Sequence, residues 1–572
     1  MKDPWQARAQ VWTESPFDTA TREEVARLIK RDPAACEEAF YTDLEFGTGG
    51  LRGIMGPGTN RINRYTIGMA TQGLSNYINE TFGTGTSKVA IAFDSRNNSP
   101  LFARVAAEVF AANGIGVYLF ESLRPTPELS FAIRHLGCQA GVVVTASHNP
   151  PEYNGYKVYW DDGGQIVPPH DGNIIDRVRA IKTIDEVKFD GDLSNIELVG
   201  SAIDEAYIAT LLKQVKDPQL IREHKDLKII FTSLHGTGIT VLPKALREAG
   251  FRKVMLVPEQ DIPDGNFPTV ESPNPEEAAA LKLGLRMAKR TKADILLGTD
   301  PDADRVGVAA RDASGAFRLL NGNEAGSLIV YYCLHKLRES GRLRPNHFVA
   351  KTIVTTELIA AIAAYFEVPC HDTLTGFKWI ASKIRELEGE QEFVAGGEES
   401  YGYLVGDAVR DKDAVASAMM LCEIAAWAHS QDKTLFDVLE DIHNACGAYR
   451  ERLISVKKQG KAGKAAIAAM MEGFRTNPPA TLGGEKVVAV ADVRAGTLTQ
   501  LADGSTTPLD VPASNVIQFF TAQGSKVTAR PSGTEPKIKF YFSVNAPVNG
   551  DYTALMANLE TRIDGLVADF GA

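Results

Sequence analysis

The sequence is poor in cysteine, has no long apolar run and carries no excess of positive charge. Its 6 cysteines among 572 residues are scattered, without a Cys-x-x-Cys pair, which argues against a zinc site or a disulfide framework and favours a reducing compartment. The longest apolar stretch, from Met419 to Ala428, is broken by Glu423 and is too short to span a bilayer. The net charge of -11 argues against nucleic acid and anionic membranes as partners.

What is present is the composition of a globular protein, with 44% hydrophobic and 23% charged residues. The length allows roughly three to five domains. The first residues are charged and include Trp5 and Trp12, without the apolar core of a signal peptide. We therefore expect a cytoplasmic protein. If it binds anionic small molecules, it needs local clusters of Arg and Lys or a metal ion to do so.

Short runs of β-forming residues recur along the chain and alternate with helix-like segments. Each run ends in a polar or glycine-rich loop, and the runs lie at 89–93, 142–144, 229–231, 295–297 and 392–394. This alternation predicts α/β domains with parallel strands, whose functional loops gather at the carboxyl ends of the strands.

The pattern predicts five segments. Residues 1–45 have helical spacing and are expected to form an N-terminal helical extension. Three α/β domains are expected at 46–215, 216–323 and 324–445. Residues 446–572 differ, because 485–545 have the pattern of a strand meander and 552–570 that of a closing helix, so a separate α+β domain is expected there.

The segment 145–150, with the sequence TASHNP, closes an apolar run at 141–144 that is typical of a buried strand. The hydroxyl of Ser147 is therefore expected at the carboxyl end of a strand, the usual place for ligands in open α/β sheets. Adjacent side chains on an extended backbone point to opposite faces, so His148 is not predicted to be the base that activates Ser147. Some other part of the chain must make this serine reactive.

Residues 300–305, DPDADR, carry an aspartate at every second position. In an extended segment the three carboxylates would lie on one side, about 6–7 Å apart. They cannot all ionise cheaply without a cation between them, and oxygen ligands suit a hard ion such as Mg²⁺. A solvated acidic turn is the alternative. An EF-hand is excluded, because its loop glycine and closing glutamate are absent.

Other loops offer groups for an anion or a sugar. Residues 530–537, RPSGTEPK, combine an Arg, two hydroxyls and a turn with backbone N–H groups, which is typical of a phosphate cradle. Residues 396–402, GGEESYG, offer carboxylates and a hydroxyl to sugar hydroxyls. Further cations are Arg52 in the glycine-rich segment 47–53, Lys157 shortly after the Ser147 loop and Lys378 after a turn. His235 is expected to shape its loop. Taken singly, each of these features is more often structural than functional.

In combination, the four motifs at 145–150, 300–305, 397–402 and 530–534 resemble those of the α-D-phosphohexomutases. The length and details resemble the long bacterial phosphoglucomutase branch, akin to phosphoglucomutase-2 and phosphopentomutase, and the similarity runs over most of 40–545. The resemblance implies three related mixed-sheet α/β domains plus a C-terminal TATA-binding-protein-like α+β domain around one central cleft. The phosphoserine loop, the metal-binding loop, the sugar-binding loop and the phosphate-binding loop would then come from the four domains in that order.

The resemblance also implies roles for individual residues. Ser147 would be carried as phosphoserine, with one Mg²⁺ per chain bound by Ser147, Asp300, Asp302 and Asp304. The catalytic residues would be Ser147, His148, Lys157, Arg52 and Arg305, with Lys157 as general acid and base. The substrate-binding residues would be Thr375, Gly376, Lys378, Glu398, Ser400, Arg530, Ser532, Gly533 and Thr534.

The activity that the resemblance implies is that of a phosphoglucomutase. It would interconvert α-D-glucose 1-phosphate and glucose 6-phosphate through a phosphoserine enzyme and glucose 1,6-bisphosphate, which would also be an activator. The only expected partner is the phosphosugar, and the protein is expected to be a monomer or a homodimer. Phosphomannomutase, phosphopentomutase and glucose 1,6-bisphosphate synthase remain alternatives of the same class. A Mg²⁺-dependent sugar phosphatase and a non-catalytic sugar-phosphate sensor are alternatives of other classes.

Overall fold

The computed structural model describes residues 4–47, 49–458, 460–532 and 537–570. The described chain forms two compact units. The first contains the residues up to Asn321 together with Ile384–Glu386 and Ser400–Ser430. The second contains Gly322–Lys383, Leu387–Glu399 and the residues from Gln431 onward.

Three short helices open the first unit, in the segment for which the sequence predicts helices. They are α1 (Pro4–Val11), α2 (Thr19–Arg31) and α3 (Pro33–Phe40). Asp18 caps α2 by accepting a hydrogen bond from Thr21 N, as N-cap aspartates do. Trp12 packs with Phe17 and Phe40 in a small aromatic core.

A six-stranded mixed sheet follows, with the strand order β1-β5-β4-β2-β3-β6. Its strands are β1 (Gly50–Ile54), β2 (Lys88–Phe93), β3 (Gly116–Phe120), β4 (Ala140–Val144), β5 (Tyr153–Trp160) and β6 (Ile196–Val199). The helices around it are α4 (Arg64–Phe82), α5 (Ser99–Ala112), α6 (Thr126–His135), α7 (His170–Ala180) and α8 (Ser201–Leu212), with short 3-10 helices at Ile184–Glu186 and Leu193–Asn195. β2, β3, β4 and β6 run parallel, whereas β5 is antiparallel to β1 and β4.

A second mixed sheet has the order β11-β10-β9-β7-β8. Its strands are β7 (Lys228–Thr232), β8 (Lys253–Leu256), β9 (Ile295–Thr299), β10 (Val306–Arg311) and β11 (Phe317–Leu320). The helices are α9 (Pro218–Glu223), α10 (Gly238–Ala249) and α11 (Lys282–Thr291). Every residue of β4 and of β9 is buried, in agreement with their continuous apolar sequences.

The second unit begins with a parallel arrangement in which β12 pairs with β13 and β14. Its elements are α12 (Gly322–Glu339), β12 (His347–Thr352), α13 (Leu358–Tyr365), β13 (Cys370–Thr373), α14 (Phe377–Glu386, whose last turn belongs to the first unit) and β14 (Glu392–Glu398). The next two elements, β15 (Gly402–Val405) and α15 (Ala414–His429), belong to the first unit, and α16 (Leu435–Cys446) returns to the second.

The C-terminal part of the second unit is an antiparallel sheet with the order β16-β23-β22-β21-β18-β19-β20, and β17 pairs with β18. Its strands are β16 (Ala448–Lys457), β17 (Thr481–Leu482), β18 (Glu485–Asp492), β19 (Thr497–Gln500), β20 (Thr506–Pro508), β21 (Ile517–Thr521), β22 (Lys526–Pro531) and β23 (Lys537–Ala546). The helices α17 (Gly460–Thr476) and α18 (Tyr552–Ala568) complete it. Within the described residues, no helix has both the length and the apolar character that crossing a membrane requires.

Candidate active site

Ser147 lies just beyond the carboxyl end of β4, as the sequence predicts, and is 4% exposed. Its φ of 52° is in the left-handed region, which is uncommon for residues other than glycine. Thr145 Oγ1 supports this turn by accepting a hydrogen bond of 2.8 Å from Ser147 N. The hydroxyl of Ser147 donates to Asp300 Oδ2 at 2.7 Å, so the serine and the first aspartate of the acidic motif are in direct contact.

The expectation that Ser147 and His148 point to opposite faces is wrong. It assumed an extended backbone, whereas the left-handed φ of Ser147 turns the chain. His148 Nδ1 consequently lies 3.3 Å from Ser147 Oγ. Burial, with the charges of Arg305 and Arg52, lowers the pKa of His148 to about 3, so its imidazole is neutral near pH 7.

The three aspartates form a closer group than an extended segment would give. The loop after β9 curls at Ala303, which has a φ of 51°, and one carboxylate oxygen from each of Asp300, Asp302 and Asp304 lies within 4.8 Å of the other two. Asp300 Oδ1 accepts hydrogen bonds from the backbone N–H groups of Asp304 and Arg305. The loop therefore fixes one carboxylate by its own backbone and aims all three at one point.

This group fits a divalent cation. All three aspartates are at most 1% exposed, and among the described residues nothing donates a hydrogen bond to the buried Oδ1 atoms of Asp302 and Asp304. Burial and the two neighbouring carboxylates raise the pKa of Asp300 well above its usual value. A buried all-oxygen site with excess negative charge suits Mg²⁺.

Lys157, a cation predicted from the sequence, contacts two of these aspartates. Its Nζ donates to Asp302 Oδ2 at 2.7 Å and lies 3.2 Å from Asp304 Oδ2. The position follows from the register of β5, which pairs Lys157 with Val143 of β4 and with Gly50 of β1. Although burial alone would lower it, the pKa of Lys157 is raised by the charges of Asp302 and Asp304, so the side chain is an ammonium in this arrangement.

Two more of the predicted catalytic residues are arginines of the first unit. Arg305 Nη1 donates to Glu276 Oε1 at 2.5 Å, and its Nε lies 3.8 Å from Asp304 Oδ1. Arg52, on β1, donates to Asn149 Oδ1 at 3.3 Å. Together with Lys157, these residues surround the carboxylates with positive charge suited to a phosphoryl group.

Three further residues at this site were not predicted from the sequence. Lys412 Nζ lies 3.2 Å from Asp304 Oδ2 and 3.0 Å from Asp411 Oδ1. Thr126 Oγ1 donates to Asp302 Oδ2 at 3.0 Å, and Glu276 pairs with Arg305. The alternating charges at 410–413, RDKD, were a visible signal for Lys412, whereas nothing local marked Thr126 or Glu276.

His235 has the structural role that its sequence context suggested. Its Nδ1 donates to Ile262 O at 3.0 Å, and its Nε2 lies 2.9 Å from Thr269 Oγ1. Next to it, Gly236 packs so closely on the acidic loop that a Cβ there would lie 2.4 Å from Pro301 Cα. The loop that carries His235 and Gly236 thus packs against the loop that carries the aspartates and supports it.

The remaining predicted residues fall mostly in the second unit. Gly376, with a φ of 112°, presents its N–H to Glu398 Oε1 at 2.8 Å. Within the part of the chain that the structure describes, the buried Thr375 Oγ1 has no hydrogen-bond partner, and Lys378 Nζ lies 5.2 Å from the centre of the Trp379 ring.

The proposed phosphate cradle is described only in part. Arg530 is near the end of β22, opposite Lys539 of β23, and Ser532 N donates to Lys537 O at 2.7 Å. Gly533 and Thr534 lie outside the described residues. Ser400 belongs to the first unit, whereas Glu398 belongs to the second.

Comparison with known families decides what kind of protein this is. Family models for the phosphoglucomutase/phosphomannomutase α/β/α domains I, II and III match residues 43–185, 205–315 and 322–445. The chain belongs to the phosphoglucomutase/phosphomannomutase family. This membership confirms the resemblance to the α-D-phosphohexomutases, the three α/β domains followed by a sheet-rich C-terminal part, and the prediction of an isomerase that transfers a phosphoryl group.

Relatives within the phosphoglucomutase/phosphomannomutase family are similar over nearly their whole length. A phosphoglucomutase of Staphylococcus aureus strain MRSA252 is 39% identical over 518 residues, covering 89% of this chain and 91% of the relative. A phosphoglucomutase of Staphylococcus epidermidis is 38% identical over 513 residues, covering 89% and 92%. The crystal structure of parafusin, a phosphoglucomutase from Paramecium, has the same fold, with a TM-score of 0.67, 17% identity and coverage of 91% of this chain and 95% of that one.

Proposed function

We propose that the protein is a phosphoglucomutase, which interconverts α-D-glucose 1-phosphate and glucose 6-phosphate, and that Ser147 carries the phosphoryl group. The observation that carries this proposal is the contact of 2.7 Å between Ser147 Oγ and Asp300. A buried serine hydroxyl facing a group of three carboxylates, with Lys157 beside them, suits a phosphoryl group and its counter-ion better than it suits a hydroxyl alone. The assignment of glucose as the sugar is supported by the relative that is 39% identical and is named phosphoglucomutase.

The acidic group would hold one Mg²⁺ per chain, through Asp300, Asp302, Asp304 and the phosphate on Ser147. When bound, the ion would neutralise charge on the transferred phosphoryl group. Arg305 and Arg52 would add positive charge at the same place, which is the main catalytic need in phosphoryl transfer.

The chain's own groups then account for both transfers. In the first, the bond from phosphorus to Ser147 Oγ breaks, and a bond from phosphorus to a sugar hydroxyl oxygen forms. Lys157, as an ammonium, gives a proton to the released serine oxygen and takes up the proton of that hydroxyl, and glucose 1,6-bisphosphate results. In the second, the other phosphoryl group moves from the sugar to Ser147, and the serine proton returns to the freed sugar oxygen. Neutral His148, at 3.3 Å from Ser147 Oγ, would orient the hydroxyl.

Other residues singled out in the sequence would bind the rest of the substrate. Glu398 would accept hydrogen bonds from sugar hydroxyls, as would Ser400 of the first unit. The phosphate that is not reacting would be bound by the cradle at 530–534, through Arg530, Ser532, Gly533 and Thr534. Thr375, Gly376 and Lys378 would also bind the substrate. Free glucose 1,6-bisphosphate would activate the enzyme by phosphorylating Ser147. We further propose a cytoplasmic protein that acts as a monomer or homodimer without macromolecular partners.

Phosphomannomutase is the second candidate, because the matching family models cover both activities. Comparing kcat/KM for the 1-phosphates of glucose, mannose and ribose, with Mg²⁺ and trace glucose 1,6-bisphosphate, separates the sugars. We expect glucose 1-phosphate to have the highest kcat/KM, with no steady release of inorganic phosphate. A preference for mannose or ribose phosphate would reassign the substrate, and steady phosphate release would indicate a phosphatase instead.

A further inference from the structure

Arg96 is a charged side chain that is buried completely beneath the Ser147 loop, with 0% of the side chain exposed. Its guanidinium donates to four backbone carbonyls of that loop. The distances are 2.6 Å to Ser147 O, 2.8 Å to Pro150 O and 3.0 Å to Tyr153 O, and Asn149 O is the fourth acceptor. The planar fork of an arginine can meet several acceptors in fixed directions, which the point charge of a lysine cannot do.

The same arginine is tied to the other side of Ser147 through Asp94. Arg96 Nε lies 3.3 Å from Asp94 Oδ2, and Asp94 accepts a hydrogen bond of 2.6 Å from Thr145 Oγ1. Thr145 Oγ1 in turn accepts from Ser147 N at 2.8 Å. The pair of Asp94 and Arg96 therefore fixes both the N–H and the carbonyl of Ser147, the residue held at a φ of 52°.

The segment 264–267, which lies between β8 and β9, covers the guanidinium of Arg96. The ring of Phe267 lies 5.0 Å from Arg96 Cζ, a cation–π distance. Gly265 touches the adjoining backbone so closely that a Cβ there would lie 2.3 Å from Asn97 N. Asp264 N donates to His235 O at 3.2 Å, so this segment contacts both the Arg96 support and the loop beneath the aspartates.

We propose that Arg96 is a positioning residue for phosphoryl transfer, held in place by Asp94 and capped by Phe267. It keeps the Ser147 loop in the one conformation that directs Oγ at Asp300. The inference rests on the proposed role of Ser147 as phosphoryl carrier. Since Arg96 contacts backbone and not the reacting atoms, its loss should affect the transfer step more than the binding of the sugar phosphate.

The test is Arg96→Lys, which keeps the charge but not the fork. We expect kcat to fall about 100-fold with KM changed less than about threefold, because a small misplacement of a reacting group has an effect of that size. The matched control is Arg562→Lys, since Arg562 also has four acceptors, at Glu485, Ser525 and two backbone carbonyls, but lies on α18. The control is expected to lose a similar amount of thermal stability and to keep its kcat.

Hydrogen exchange gives a readout that does not depend on activity. Peptides covering 145–153 should exchange faster in Arg96→Lys than in the wild type or in Arg562→Lys. If Arg96→Lys does not fold, Phe267→Leu removes the cap alone and should lower kcat several-fold with the same local increase in exchange. A folded Arg96→Lys or Phe267→Leu variant with the kcat of the wild type and the same hydrogen exchange at 145–153 would overturn the proposal. A wild-type enzyme with no mutase activity would overturn the proposed function instead, while the exchange result would still report on the loop.

Discussion

At the scale of single residues, the charges around the acidic group decide what the site can do. Three buried carboxylates face Lys157 and Lys412, which both lie 3.2 Å from Asp304 Oδ2. Burial and the two neighbouring carboxylates raise the pKa of Asp300. An additional positive charge beside the three carboxylates would therefore stabilise their ionised forms. The arrangement favours a dianionic phosphate together with a divalent cation at this point.

Lys157→Gln tests the proton transfer assigned to this lysine. The amide keeps most of the length but cannot exchange a proton, so kcat should fall about 100-fold or more, the usual size of a lost general acid or base. The measurement is steady-state kinetics with glucose 1-phosphate across pH. Lys244→Gln is the control, because Lys244 is 45% exposed and pairs only loosely, at 3.8 Å, with Glu205 and Glu248. A Lys157→Gln enzyme with unchanged kcat would remove Lys157 from the mechanism.

Much of the candidate site could be predicted at this scale. The rest could not be predicted, and the reason is physical. Ser147 and the three aspartates follow apolar strands, so their placement at strand ends followed from local pattern. The contact of His148 with Ser147 was missed, because one left-handed φ at Ser147 reverses the direction of a side chain and leaves no trace in hydrophobic periodicity. Thr126 and Glu276 reach the site from other elements, where their own neighbours give no signal.

At the scale of secondary-structure elements, the site is built from loops after neighbouring parallel strands. Ser147 follows β4 and Asp94 follows β2, and these two strands pair in parallel. Asp300 follows β9 and Ser233 follows β7, which pair in the same way. Alternating strands and helices predicted this edge correctly, since the carboxyl ends of parallel strands meet there.

Gly236→Ala tests whether the loop after β7 supports the aspartates. A Cβ at this position would lie 2.4 Å from Pro301 Cα and 2.7 Å from Pro301 O, so the loop bearing the aspartates must move. We expect the Mg²⁺ concentration for half-maximal activity to rise about tenfold or more, as for other changes that disturb the support of metal ligands.

Gly172→Ala is the matched control, because a Cβ there would meet no atom within 4 Å. Calorimetric titration of the substrate-free protein with Mg²⁺ gives the same comparison without turnover. An unchanged Mg²⁺ requirement in Gly236→Ala would show that the loop after β7 does not set the geometry of the acidic group.

At the scale of the whole molecule, sequence-distant segments combine within the second unit. Ile353, Val354 and Leu374 share an apolar cluster with residues of the C-terminal sheet, which are Val493, Val516 and Tyr541. Gln518 donates to Ile353 O at 2.9 Å, and Lys526 pairs with Glu357. The sequence predicts the two segments as separate domains, and this stays a prediction. The particular contacts between them join residues more than a hundred positions apart, and no local pattern in the sequence marks which residues meet.

Glu451→Gln tests one of these contacts through its pH dependence. Burial raises the pKa of Glu451, which accepts a hydrogen bond from Thr356 Oγ1, from 4.5 to about 7. A carboxyl with a raised folded-state pKa contributes stability that is complete below the unfolded pKa and is lost as the pH rises through the folded pKa. Removing the charge should therefore stabilise the protein at pH 8 by roughly 1–3 kcal/mol, with little effect at pH 4.5.

The measurement is the urea midpoint of Glu451→Gln and of the wild type across this pH range. Glu23→Gln, on the exposed face of α2, is the control and should follow the wild type at every pH. Equal pH slopes in Glu451→Gln and the wild type would show that folding does not raise the pKa of this carboxyl.

The central claim is that Ser147 carries the phosphoryl group between the two ends of the sugar, and one mass measurement tests it most directly. The protein is incubated with Mg²⁺ and glucose 1,6-bisphosphate, freed of small molecules, and analysed by intact mass and peptide mapping before and after mixing with excess glucose 1-phosphate. The account predicts a single phosphoryl group on the peptide containing Ser147, lost to the sugar on mixing, and neither phosphate nor turnover in Ser147→Ala. Phosphate on another residue, or mutase turnover in Ser147→Ala, would contradict it.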